Sequence, residues 1–111
     1  MIEIRGYLIN GTYYILINET WGSYTRSWGH RTVISRGGIK LVENKVTYHN
    51  GTWEVYPFQT SMLQAINKLI DIQNKYKRKK DSVLLADMNS LKSLIEDTDV
   101  GKVVNYEVLC R

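Results

Sequence analysis

One cysteine and two histidines stand in a chain of 111 residues, and each scarcity closes off a class of chemistry. A lone Cys110 has no internal disulfide partner, so the sequence reads as the product of a reducing compartment. With only His30 and His49 and no Cys-x-x-Cys or His-Glu-x-x-His spacing, no zinc site is expected. Neither a Gly-x-Gly-x-x-Gly turn nor a Walker-type loop is present to cradle a phosphate, and no Gly-x-Ser-x-Gly elbow exposes a nucleophile. No apolar run reaches the ~18 residues that span a bilayer. The first ten residues lack the charged-then-apolar build of a secretory leader. The reading is therefore a cytoplasmic, single-domain protein, without cofactor, metal or membrane partner. An enzyme is the least supported class.

What is plentiful is tyrosine, tryptophan and positive charge. Eight Tyr and three Trp accompany a formal charge of +4. Rings with a polar handle are favoured where one side is packed and the other wet. The charge excess permits an acidic partner such as nucleic acid and argues against a DNA mimic.

The stretch Glu19–Gly38, ETWGSYTRSWGHRTVISRGG, concentrates both properties. Two Trp-Gly pairs lie seven apart, and no carboxylate occurs between Thr20 and Val42. Trp, Tyr and Arg dominate binding hot spots, and the same residue types stack bases and pair phosphates. Trp21, Tyr24, Arg26, Trp28, His30, Arg31 and Arg36 are accordingly the candidate recognition surface, read as a long functional loop. Burial of Trp21 and Trp28 at the edges of the core is the competing reading. A second candidate is the run Lys75-Tyr76-Lys77-Arg78-Lys79-Lys80, whose cations either complement a helix dipole or contact phosphates. A third is an acid/base pair of His49 and Glu54, diagonal on one polar hairpin face, which lacks a nucleophile.

The pattern predicts an α+β fold: an antiparallel meander of five to six short strands, one long amphipathic helix, a second shorter helix and a C-terminal strand. Ile2–Ile9 and Thr12–Glu19 form a hairpin about Asn10-Gly11, because both central residues of a type I′ turn need positive φ. A two-residue turn sets Ile9 against Thr12 and Ile4 against Ile17. Ile2, Ile4, Leu8, Tyr13, Ile15 and Ile17 then share a face, read as the buried one. Arg31–Ser35, Ile39–Val42 and Lys45–His49 follow as strands, with turns at Arg36-Gly37-Gly38 and Glu43-Asn44. Asn50-Gly51 marks a further hairpin into Thr52–Tyr56, and Pro57 ends the sheet. Ser61-x-x-Gln64 reads as a capping box before the stripe Met62, Ile66, Leu69, Ile70 and Gln73. Asp81 or Ser82 caps a second segment, in which Leu84, Met88, Leu91 and Ile95 align and Asn89-Ser90 threatens a break. Val103–Leu109 reads as the last strand. The outer edges of such a meander offer pairing groups for a homodimer.

The segment Tyr48–Leu69, YHNGTWEVYPFQTSMLQAINKL, resembles small proteins of phages and mobile elements, in which an aromatic hairpin with Thr-Trp-Glu runs into an amphipathic helix. Ser23-Tyr24-Thr25-Arg26-Ser27-Trp28-Gly29-His30 is similar to the Ser/Thr-rich turn before it. The resemblance covers residues 20–70 and carries no catalytic residue. It implies an anti-defence role of the anti-CRISPR kind: a non-enzymatic inhibitor of a host defence effector protein or nucleoprotein. A free nucleic-acid binder and a protein that sequesters a small nucleotide are the alternatives.

Overall fold

A computed structural model describes residues 2–22, 27–49, 57–76, 78–98 and 106–110. Four consecutive antiparallel strands, β1 (Ile2–Ile9), β2 (Thr12–Gly22), β3 (Ser27–Arg36) and β4 (Ile39–His49), are followed by helices α1 (Phe58–Tyr76) and α2 (Ser82–Thr98). A strand at Tyr106–Cys110, β5, pairs antiparallel with β1, and the sheet order is β4-β3-β2-β1-β5.

Local chemistry explains most of these boundaries. Asn10 and Gly11 both adopt positive φ, 48° and 80°, and the hairpin takes the register that this turn demands, Ile9 against Thr12 through Ile4 against Ile17. Gly37 and Gly38, also at positive φ, turn β3 into β4. The carbonyl of Pro57 accepts the Ser61 N–H at 3.1 Å, so α1 starts at Phe58, one turn ahead of the expected capping box. Asp81 Oδ1 accepts the Leu84 N–H at 3.0 Å, the geometry of a helix N-cap. α2 then runs unbroken through Asn89 and Ser90, because both are exposed and Ser90 Oγ bonds back to the Ala86 carbonyl at 3.3 Å. At 17 residues against 19 it is the shorter of the two helices, by two residues.

The meander departs from expectation in strand number and length. Where five to six short strands were expected, four run before the helices among the described residues, and two of them are eleven residues long. Glu43-Asn44 is not a turn. Arg31 and Lys40 hold the Glu43 carboxylate, Asn44 pairs with Thr32, and β4 passes through with only a bulge opposite Ile34/Ser35. Pairing along the whole length of β3 overrides the local turn preference. The Asn50-Gly51 hairpin and the strand over 52–56 lie outside the described residues.

The larger correction concerns the faces of the sheet. Both helices pack on the side carrying Tyr7, Ile9, Tyr14, Leu16, Ile34 and Val42, all buried, against Met62, Ala65, Ile66, Leu69, Leu84, Met88, Leu91 and Ile95. The isoleucine-rich side is the other one. The phenols explain how a less apolar face becomes core. Asp87 of α2 is buried at 1% exposure and needs donors, which the Tyr14 hydroxyl and Asn10 Nδ2 supply. Tyr14 connects in turn to Arg36, which pairs with the capping Asp81 at 3.3 Å. Asp81 N–H reaches Gln73 Oε1 at 3.3 Å, so one polar network ties both hairpin turns to both helices. Desolvation first, and then the bond to Asp87, push the Tyr14 phenol up to about 12, while Arg36 opposes the rise.

Candidate interaction surface

The expected loop Glu19–Gly38 is mostly strand. β2 extends to Gly22, β3 begins at Ser27, and the two Trp-Gly pairs are cross-paired, Trp21 against Gly29 and Gly22 against Trp28. Directly opposed residues share a face and successive residues alternate, so the two tryptophans emerge on opposite sides of the sheet. The register produces this split: with Trp21 opposite Gly29, Trp28 is one residue out of step and faces the other way, whereas Tyr7 and Tyr14, also seven apart, are directly opposed and share a face.

Trp28 turns to the helix side. It is 6% exposed and stacks on Tyr48, with centroids 4.1 Å apart and planes at 17°. His30 lies beside the same ring, its Nε2 3.4 Å from the Tyr48 hydroxyl. Burial lowers the His30 pKa, which keeps the imidazole neutral at pH 7. Asn18, Thr20 and Thr32 are buried with it. At the adjacent end of the sheet, Arg5 pairs with Glu3 at 2.6 Å and lies 3.8 Å over the Phe58 ring. Burial disfavours the charged Arg5, but its bonds to Glu3 and Tyr7 outweigh this and raise its pKa. These groups form an enclosed polar layer of the core, so Trp28 and His30 have no access to a partner.

Trp21 turns to the opposite, helix-free side. Its ring lies on Gly29, where an added Cβ would collide with the indole and with the Val46 carbonyl. Lys45 Nζ sits 5.6 Å from the ring centroid, in the cation–π arrangement. Tyr13 repeats the device at the other end of β2, its ring lying over Gly6. Between the two aromatics run Ile2, Ile4, Ile15 and Ile17, each half-buried, with Leu8 57% and Tyr13 43% exposed. Val33 is fully packed among them. Arg31 frames this face through its ion pair to Glu43 at 2.6 Å, and Lys40 reaches the same carboxylate at 3.4 Å. The bond from Arg31 draws the Glu43 carboxyl below its ordinary pKa.

The seven expected recognition residues therefore do not form one patch. Trp21 and Arg31 share the helix-free face, whereas Trp28 and His30 are core, and Arg36 is committed to Asp81 and Tyr14 at the helix side. Tyr24 and Arg26 lie outside the described residues, as do Glu54 and the side chain of His49. Of the basic run, Lys75 lies in the last turn of α1, while Arg78, Lys79 and Lys80 lead into α2, all exposed; Lys77 lies outside the described residues. Missed from sequence were Leu8, Tyr13, Ile15 and Ile17 as surface residues, since their alternation was read as a core signal.

Among the described residues, no three His, Cys, Asp or Glu side chains converge as a metal site would require, and no helix is long and apolar enough to cross a membrane. No protein-family model matches the chain, and no curated protein or solved structure matches it either.

Proposed function

We propose that this chain is a non-enzymatic binding protein that docks on a protein partner through the helix-free face of its sheet. The observation that carries the reading is the burial inversion: the helices cover the tyrosine face and leave the isoleucine face, with Trp21 at one end and Leu8 and Tyr13 at the other, in contact with solvent. An antiparallel sheet with one free face ordinarily shows polar residues there. A contiguous apolar patch flanked by charged pairs is instead the form of a protein-docking surface. The anchors are Trp21 and Tyr13, whose rings are each packed against a glycine of the neighbouring strand, which restrains them before binding.

The resemblance to small phage and mobile-element proteins supplies the partner class, a host defence effector or nucleoprotein met in the host cytoplasm and inhibited by occupancy. The test is phage plaquing on a strain with an active DNA-targeting defence. Wild-type protein is expected to raise plaquing efficiency and to co-purify with the tagged effector. The Leu8→Lys/Tyr13→Ser and Trp21→Ala variants should lose both properties while keeping a native circular dichroism spectrum. Variants that inhibit as well as the wild type at equal protein levels would remove the sheet face from the mechanism.

A further inference from the structure

Residues 75–80 hold five of the chain's 15 cations in six positions. The rest of the chain has ten cations against 11 carboxylates, so this corner carries the whole positive excess of the molecule. A basic last turn complements a helix dipole, but that effect falls off within a turn and needs one or two charges. Here Lys75 closes α1 and Arg78, Lys79 and Lys80 continue into the link, none of them ion-paired among the described residues. The nearest carboxylate in sequence, Asp81, is already engaged: Arg36 pairs with it at 3.3 Å, and its other oxygen caps α2. That engagement keeps the neighbouring cations free for an external anion.

Amid these charges Tyr76 is 78% exposed. A phenol ring so placed, flanked by lysines, gains nothing from the core and offers an open π face. An open groove of about 480 Å³ runs back from Tyr76 and Lys75 along the outer side of α1 past Asp71, Lys68, Asn67 and Gln64. Asn67 and Gln64 supply further donors there, while Lys68 is held by Asn44 at 2.8 Å.

We infer that the corner between α1 and α2 is a site for single-stranded nucleic acid, with phosphates held by Lys75, Arg78, Lys79 and Lys80 and one base stacked on Tyr76. An exposed ring needs an unstacked base, which a single strand presents and a duplex does not. The site belongs to the helical layer, on the other side of the sheet from the docking face, so either reading stands or falls without the other.

Fluorescence anisotropy with a labelled oligothymidylate of about 15 nucleotides tests it. Four phosphate contacts predict a log–log salt slope near −3 and about a 50-fold loss of affinity between 50 and 200 mM salt. K79E/K80E should halve the slope and weaken binding more than about ten-fold at low salt. Tyr76→Ala should weaken it about ten-fold, and Tyr76→Phe should bind as the wild type does. All these side chains are exposed, so unchanged melting temperatures are expected alongside. Salt-insensitive binding, or wild-type affinity in K79E/K80E, would overturn the assignment. So would equal competition by polyglutamate with Tyr76→Ala inert, which would make an acidic protein the occupant.

Discussion

Removing one hydroxyl, by Tyr14→Phe, tests the central claim about how this core is built. Tyr14 is fully buried, and its hydroxyl donates to Asp87, a carboxylate that is 1% exposed on α2. The only other side-chain donor to Asp87 among the described residues is Asn10 Nδ2, at 3.3 Å. A hydrogen bond to a charged group contributes about 1.5–3 kcal/mol, and orphaning the buried acceptor falls in the same range. The Tyr14 pKa leads to a similar figure. Raising a phenol from 10 to about 12 corresponds to about 3 kcal/mol between its two protonation states, part of it desolvation and part the bond to Asp87. The substitution removes no carbon from the core, so no cavity term enters. About 2–3 kcal/mol of destabilisation is expected, lowering the urea midpoint by roughly 1–2 M for a domain of this size. The double variant Tyr14→Phe/Asp87→Leu should recover much of the loss, because it leaves no buried carboxylate unpaired and the Asn10 amide that loses its partner is exposed to water. A Tyr14→Phe variant within about 0.5 kcal/mol of wild type would refute the claim that this bond helps select the helix-covered face. The sign of the alkaline behaviour follows from the raised pKa. The folded state holds the phenol protonated, so its contribution is complete below pH 10 and lost as pH rises towards 12. One of the tyrosines should titrate spectrophotometrically together with unfolding in that window, and Tyr14→Phe should abolish the coincidence.

Trp28→Ala should cost about 3–5 kcal/mol in chemical denaturation because it empties a buried aromatic stack, whereas Trp21→Ala on the free face should cost much less. Gly29→Ala should destabilise by about 1–3 kcal/mol, since its Cβ meets the Val46 backbone carbonyl as well as Trp21; the nearest atoms to a Cβ at Gly6 all belong to the Tyr13 side chain, which can swing away, and Gly6→Ala should melt close to wild type. Asp81→Ala should cost about 1–2 kcal/mol as the α2 cap and the Arg36 partner are lost. The Leu84 N–H, and Arg36 after it, depress the folded-state pKa of Asp81, so this contribution is present above the ordinary carboxylate range and lost as pH falls below about 4. Acid melts of wild type and Asp81→Ala should converge there.

Much of the fold is legible in the residues because it is decided locally. Asn10-Gly11 dictates the first hairpin and its register through positive φ at both positions. The spacing of Met62, Ile66 and Leu69, and of Leu84, Met88, Leu91 and Ile95, places the helices and their inner stripes. Asp81 announces its own cap. The tertiary structure decided which side of the sheet those stripes would cover. Alternation along β1 and β2 separates Ile2, Ile4, Ile15 and Ile17 from Tyr7 and Tyr14 but does not say which set meets a helix. That choice depends on Asp87, 73 residues from Tyr14 in sequence, needing a buried donor, and on Ile34 and Val42 arriving from β3 and β4 on the tyrosine side. The fate of the twin Trp-Gly pairs was decided in the same way. Their residue types advertised recognition, yet strand parity across the β2–β3 pairing sent Trp28 into the core and left Trp21 on the free face. Long-range pairing has no local signature, so the candidate surface became visible only when the sheet was assembled.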